Sequence, residues 1–281
     1  MPPPQPSPTV AVVVPAKDEG ERVAATVAAL RSLAVADLVV VVDDGSSDGT
    51  ARLARDAGAL VVAHARNRGK AAAMATGARA VAAHEAAHPR PGTGPRPLLF
   101  VDADLGGTAA ATAPLAGPVL AGEADMTIAV LPRQSSPGGG RGLVVGLARR
   151  GTLAATGWSP QQPLSGMRCL SREAFEAAQP LARGWGVETA LTIDLLLAGY
   201  RVVEVPCALQ HRVTGTDLRA QLHRAAQYRD VALALAQRHL ADRLGRLRRT
   251  GGRSGGRAGG GAGGGAGGRA GGRGGADRAG G

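Results

Sequence analysis

The sequence predicts an α/β fold in which a single domain holds a doubly wound, mostly parallel central sheet flanked by helices. Three observations lead there. The apolar, β-branched run Val10–Val14 has the unbroken character of a strand buried on both faces, Leu38–Val42 reads as a second buried strand and Leu60–Ala63 as a third strand. A helical stretch follows each run within a few residues, and this β-α-β-α-β-α-β order calls for right-handed crossovers. Three strand ends carry acidic or Gly-rich loops, and in such a sheet those ends gather along one edge, where ligands bind.

Val10–Val14 runs into Pro15-Ala16-Lys17-Asp18-Glu19-Gly20, with Asp18 as the expected N-cap of a helix over roughly Glu21–Ser32. Leu38–Val42 leads into Asp43-Asp44-Gly45-Ser46-Ser47-Asp48-Gly49-Thr50 and a helix near Thr50–Ala57. Leu60–Ala63 feeds a basic loop, His64 to Lys70, and then an Ala-rich helix over Ala71–Ala83. After the proline-rich excursion His84–Pro97, the short apolar run Leu98–Val101 stops at Asp102-Ala103-Asp104 and a Gly pair. In extended backbone, residues two apart point to the same side, so Asp102 and Asp104 can aim at one object. A hard divalent cation between them relieves their repulsion. Ordinary turn chemistry accounts for any one of these loops; their coincidence points to a site.

The second half continues with a strand at Asp125–Val130. Gly138-Gly139-Gly140-Arg141 before a helix at Leu143–Leu153 can form a backbone anion nest beside a guanidinium, or a plain surface loop. Pro163–Phe175 reads as a strand, with Gly166 where something approaches closely, and then a helix capped by Ser171. Gly184-Trp185-Gly186-Val187-Glu188 opens a helix through about Ala198, where Glu188 is either a helix-dipole charge or an active-site carboxylate. Arg201–Val205 is a strand, and His211-Arg212 follows in a polar loop. An imidazole there can complete a carboxylate site for Mg²⁺ or Mn²⁺. Asp217–Leu247 is a long basic helix, with Leu218, Leu222, Ala226, Leu233, Leu240, Leu244 and Leu247 expected on its apolar side. A solvated basic face is the default for it, and arginines meeting anionic lipid the functional alternative.

Composition sets the domain limits. Residues 251–281 carry 18 of the 43 glycines, with almost nothing apolar to offset the entropy of ordering, so 249–281 is expected to be a disordered tail. Residues 1–9, with five prolines, form a flexible lead-in. From Thr250 onward the tail accounts for +4 of the net charge of +11 and leaves +7 on the rest, a balance suited to anionic phosphates. Aromatic residues are too scarce for base stacking, so specific nucleic-acid binding is not expected. Two cysteines without metal spacing, no signal-peptide pattern and no run of 18 apolar residues suggest a cytoplasmic protein, at most peripheral at the inner face of the membrane.

Pro15-Ala16-Lys17-Asp18-Glu19, Val42-Asp43-Asp44-Gly45-Ser46-Ser47-Asp48-Gly49-Thr50, Gly69-Lys70 and Val101-Asp102-Ala103-Asp104 resemble, in order and spacing, the nucleotide-sugar half of family 2-type glycosyltransferases with the GT-A fold. Gly138 to Arg141, Leu164-Ser165-Gly166, Gly184 to Glu188 and His211-Arg212 are similar to glucosyl-3-phosphoglycerate synthases. The resemblance implies a nucleotide-sugar half over 10–130 and an acceptor half with the C-terminal helix over 131–248. Pro15, Ala16 and Glu19 would line a uridine pocket, Asp43 and Asp44 would contact base and ribose, and Lys70 would approach the diphosphate. Asp102 would reach the donor ribose. Asp104 and His211 would hold Mg²⁺ or Mn²⁺, with Asp104 and Glu188 as the catalytic carboxylates. Gly140, Arg141, Gly166 and Arg212 would receive the acceptor.

The chain departs from these patterns in three places. Asp18 stands where the family commonly has Asn, Gly142-Leu143 replaces the Thr that follows the Arg, and the chain is shorter. No Gln-x-x-Arg-Trp motif is present, which counts against a processive polysaccharide synthase. The expected activity is metal-dependent transfer of a hexose, glucose from UDP-glucose, to a small anionic acceptor such as 3-phosphoglycerate. The alternatives are a polyprenyl-phosphate glycosyltransferase at the membrane surface and, in another class, a nucleic-acid-binding protein using its Gly/Arg tail. A nucleotidyltransferase should have a Gly-rich loop with Arg after the first strand, and Pro15–Gly20 is not one. Stereochemical outcome, catalytic base and oligomeric state, a homodimer included, stay open.

Overall fold

Val10–Ala16 (β1) and Ala36–Asp43 (β2) are the longest strands because their β-branched side chains alternate between two covered faces. Val10, Val12 and Val14 join Val39 and Val41 in one core, whereas Ala11 and Val13 join Leu38, Val40 and Val42 in a second. A computed structural model describes residues 8–132, 142–209, 224–238 and 240. Its remaining strands are Leu60–Ala63 (β3), Leu98–Phe100 (β4), Met126–Val130 (β5), Arg168–Leu170 (β6) and Val202–Pro206 (β7). The sheet order is β3-β2-β1-β4-β6-β5-β7. β6 runs antiparallel to both of its neighbours, and every other pairing is parallel.

The helices are Val23–Arg31 (α1), Thr50–Asp56 (α2), Lys70–Ala87 (α3), Ala116–Leu120 (α4), Leu143–Thr156 (α5), Arg172–Ala177 (α6) and Val187–Leu197 (α7), then residues 224–238 (α8). Val23, Val27 and Leu30 of α1 cover one face of the sheet with Leu115, Ala116 and Val119. Met74, Ala78 and Val81 of α3, Phe175 of α6, and Val187, Leu191 and Leu195 of α7 cover the other. On that side Phe100 meets Phe175, with ring centroids 5.3 Å apart. A third, smaller cluster joins Ala148 of α5, Ile193 of α7 and Val231 and Leu235 of α8.

Most boundaries lie within a few residues of expectation, and Ser171 caps α6 by accepting a hydrogen bond from the Ala174 amide at 3.1 Å. Two expectations are corrected. Asp18 does not cap α1, whose cap position is Arg22 and has no side-chain cap bond. Asp18 instead takes a left-handed conformation (φ 54°) and bonds to the loop after β2. Leu233 and Leu240 do not lie on the buried side of the last helix. Both are exposed, and Val231, Ala234 and Leu235 face inward, because Gly151 of α5 leaves room for the Leu235 side chain. A 3-10 segment, Gly106–Leu115, follows the central strand where only a loop was expected. Of the long helix expected at Asp217–Leu247, residues 217–223 and 241–247 lie outside the described residues, as does the 249–281 tail.

Gly77 marks the closest approach of α3 to the sheet, since a methyl group there would overlap Val13 Cγ1. Alanine gains about 1 kcal/mol of helix propensity over glycine, but overpacking a buried contact costs about 1–3 kcal/mol. Gly77→Ala is therefore expected to destabilise the protein in urea unfolding, and by less in a Val13→Ala background.

Candidate active site

The strand ends of the first half are tied into one rim by their own polar groups. The Asp44 amide donates to Ala16 O (2.8 Å), continuing the β1–β2 ladder past the strands. Beyond it, the Asp18 amide donates to Ser46 Oγ (2.9 Å) and Asp18 Oδ1 accepts from the Ser47 amide (2.8 Å). The Glu19 amide meets Thr50 Oγ1 (2.9 Å), and the Gly20 amide meets Asp48 Oδ2 (2.9 Å). The Lys17 ammonium, 2.8 Å from Asp18 Oδ2, and the Ser47 amide hold the Asp18 carboxyl at about 2, well below the ordinary carboxylate value. An Asp thus serves where the family commonly has Asn: its charge is met within the rim, and short polar side chains tolerate this backbone conformation.

Asp44 joins the second loop to the third. It is buried, with Oδ1 accepting from the Arg68 amide (2.8 Å) and lying 2.7 Å from His64 Nδ1. Its Oδ2 accepts from the Gly69 amide (2.7 Å). Nδ1–H donation leaves His64 Nε2 to accept from Thr76 Oγ1 at 3.0 Å. Burial opposes ionisation of Asp44, yet the His64 and amide hydrogen bonds outweigh it and lower its pKa. Asp43 is also buried and accepts from the amide and hydroxyl of Ser46. Gly45 presses on the third loop, where a Cβ would sit 2.6 Å from Arg66 C.

Lys70, the first residue of α3, carries this rim to the second half. Its Nζ lies 2.8 Å from Asp102 Oδ1, just beyond β4, and 3.0 Å from Glu188 Oε1 in the first turn of α7. Burial disfavours the ammonium, but the two carboxylates prevail and raise its pKa. Gly166, at the entry to β6, completes the cluster: a Cβ there would lie within 2.7 Å of Lys70 Nζ and both Asp102 oxygens. Asp104 follows on the same turn, half-buried, with no hydrogen bond or ion pair among the described residues. Thr26 of α1 fixes that turn, its hydroxyl donating to Ala103 O (2.8 Å) and accepting from the Gly106 amide (2.8 Å).

Beneath the cluster lies Arg168, fully buried in β6. Its guanidinium reaches Ser165 O (2.8 Å), Pro163 O (3.1 Å) and Thr192 Oγ1 (2.8 Å), so it braces the Gly166 loop against α7. Burial lowers its pKa to about 10, which still leaves it charged at neutral pH.

The structure therefore brings Lys70, Asp102, Gly166 and Glu188 into direct contact, with Asp44 holding the Gly69 amide beside Lys70, Asp43 next to it on the same loop, Asp104 on the Asp102 turn and Pro15, Ala16 and Glu19 on the adjoining rim. Gly140, Arg141, His211 and Arg212 lie outside the described residues. His64, Thr26 and Arg168 were not expected as site residues. Only His64 had a signal, its place at the end of β3 level with Asp43, whose carbonyl accepts from the His64 amide at 2.9 Å. A cavity of about 550 Å³ lies at the other end of the sheet, by the amino ends of β2 and β3, and is lined by none of these residues.

A rim of this kind at the carboxyl edge, in this strand order, defines a class. The family model for glycosyl transferase family 2 matches residues 11–177, and the chain belongs to that family. The fold is that of GT-A glycosyltransferases. Among solved structures, the chain is similar to glucosyl-3-phosphoglycerate synthase from Mycobacterium tuberculosis. The complex with phosphoglyceric acid is 28% identical, with a TM-score of 0.65 over 82% of this chain and 80% of that one. The complex of that synthase with Mn²⁺, UDP-glucose and glycerol 3-phosphate is 29% identical, with a TM-score of 0.62 over 82% and 80%. Glycosyltransferase AglJ of Haloferax volcanii is 28% identical over 216 residues, which are 74% of this chain and 65% of that protein.

Asp44 provides a direct check on how the rim is held. Asp44→Asn leaves one acceptor oxygen for donors that need two, and is expected to cost about 1–3 kcal/mol in urea unfolding near neutral pH. Because the folded pKa is lowered, the wild-type advantage is complete above the ordinary carboxylate pKa of about 3.9 and shrinks as pH falls through the folded value. Unfolding of both proteins between neutral and acid pH measures that convergence.

Proposed function

We propose that the chain is a metal-dependent glucosyltransferase that moves glucose from UDP-glucose to a small anionic acceptor of the phosphoglycerate type. The observation that carries this reading is the Lys70 ammonium, fixed between a carboxylate from each half of the chain at the edge where the loops meet. Cleaving a sugar–phosphate bond leaves extra charge on a nucleoside diphosphate, and a preplaced cation stabilises that charge as it develops. The match to synthase structures containing UDP with Mn²⁺ or Mg²⁺ supports the same donor and metals.

The donor set fits such a metal. Mg²⁺ and Mn²⁺ take hard oxygen ligands, and Mg²⁺ is commonly held by one or two carboxylates plus substrate phosphate oxygens. Asp104 offers a carboxylate with no competing partner among the described residues, where no group of three His, Cys, Asp or Glu side chains could hold an ion by itself. In this reading Asp104 and His211 would hold the metal, which would supply charge neutralisation for the departing diphosphate. Asp43 and the rim around Pro15, Ala16 and Glu19 receive the base, and Asp44 shapes that pocket by gripping the third loop. Asp102 orients Lys70 and the ribose. Glu188 places its carboxylate on the acceptor side, with Gly166, Gly140, Arg141 and Arg212 receiving the acceptor.

A second reading, transfer to a lipid phosphate at a membrane surface, is favoured by one feature. Tyr228 and Leu233 of α8, and Leu240 just beyond it, are exposed apolar side chains. No helix among the described residues is long and apolar enough to cross a membrane, so contact would be peripheral.

A screen of nucleotide sugars for release of free nucleotide should show turnover of UDP-glucose with phosphoglycerate, dependent on Mg²⁺ or Mn²⁺. Asp104→Ala should lower it by roughly two to three orders of magnitude and abolish metal-dependent UDP binding by calorimetry, with the melting temperature retained. Unchanged metal-dependent affinity overturns the assignment. Turnover with a polyprenyl phosphate alone selects the second reading.

A further inference from the structure

Glu188 owes its position to a short turn. Gly184–Gly186 forms a single 3-10 turn that passes directly into α7, and Glu188 is the second residue of that helix. The N-cap of α7 makes no side-chain bond, so a hold on this entry from outside the helix matters. The contact comes from α8: Asp230 Oδ2 accepts the Trp185 amide at 3.1 Å. Both flanking glycines are shaped around the same residue. A Cβ on Gly184, whose φ is +68°, would overlap Asp230 Oδ2, and one on Gly186 would lie 2.7 Å from both Asp230 O and Ala234 Cβ. Arg229 pairs with the other oxygen, Oδ1, at 2.9 Å and leaves Oδ2 to the amide. Farther along, Arg238 pairs with Asp194 of α7, and Val231 and Leu235 pack on Ile193. The α8 helix thus lies along α7 with a polar contact at each end and apolar packing between.

We propose that Asp230 is a positioning residue for the active site: by holding the Trp185 amide it sets the start of α7 and so keeps Glu188 against Lys70. The inference rests on the reading above that Lys70 and Glu188 act in transfer. Loss of the acceptor loosens the turn and displaces Glu188 with it, while the Arg238–Asp194 pair and the apolar cluster still hold α8 in place. The defect therefore belongs in the catalytic step and in the mobility of one turn, not in the fold as a whole.

The test compares Asp230→Ala with Asp230→Asn in the full chain. Asparagine keeps an oxygen acceptor for the Trp185 amide. Expected for Asp230→Ala is a roughly tenfold fall in kcat on UDP-glucose with KM little changed, the size of one lost hydrogen bond. Hydrogen exchange should quicken at amides 185–189 and stay unchanged at 193–197. Asp230→Asn should restore both. Wild-type kcat and wild-type protection in Asp230→Ala overturn the proposal, and so does faster exchange spread evenly along α7, which marks general destabilisation. Should the wild-type chain turn over no nucleotide sugar, the transfer reading fails separately, and exchange at 185–189 alone decides whether Asp230 holds the turn.

Discussion

An ammonium held between two carboxylates is the constraint on which the rest of the site depends. Lys70 meets Asp102 and Glu188 at 2.8 and 3.0 Å, and these three residues come from the start of α3, the end of β4 and the start of α7. Each carboxylate would repel the other without the cation, and the cation would be costly to bury without both. Much of the surrounding architecture can be understood as what keeps this cluster in register. Asp44 grips the loop leading into α3, Thr26 fixes the turn after β4, and Arg168 braces the Gly166 loop against α7.

The sequence was most informative where side-chain pattern and strand position coincide. The β-branched runs marked β1 and β2 because burial on both faces demands continuous apolar residues, whereas β3, at the sheet edge, is partly exposed, and the loops at their ends were legible because a parallel sheet brings those ends together. Glu188 was named, but its partner was not, since nothing in a linear sequence shows that the first turn of a late helix will meet an early lysine. Thr26 and Arg168 were missed for related reasons. Thr26 reads as one more small residue on an apolar helix, and Arg168 as a charge that a three-residue buried strand should exclude. The guanidinium is tolerated there because carbonyls and a hydroxyl meet its donors.

Asp18 and the last helix show the other kind of error, in which a local rule was right about chemistry and wrong about the partner. An Asp just before a helix is a good cap, but the neighbouring loop offered the Ser47 amide and Ser46 hydroxyl, and the left-handed backbone put the carboxylate within reach of them. In α8, leucines mark an apolar stripe by size alone. Gly151 instead decides which face turns inward, because only there can Leu235 sink into a neighbouring helix.

The reversal of β6 has a consequence of its own. The first four strands deliver their loops to the rim as they leave the sheet, whereas β6, running the other way, brings residues 163–166 to the same rim as it enters. That segment is anchored from below by Arg168. Lengthening it ahead of Gly166, which packs against Lys70 and Asp102, would recontour one wall of the cleft, so a single inverted strand lets the scaffold vary that wall while the β1–β3 loops keep their own contacts.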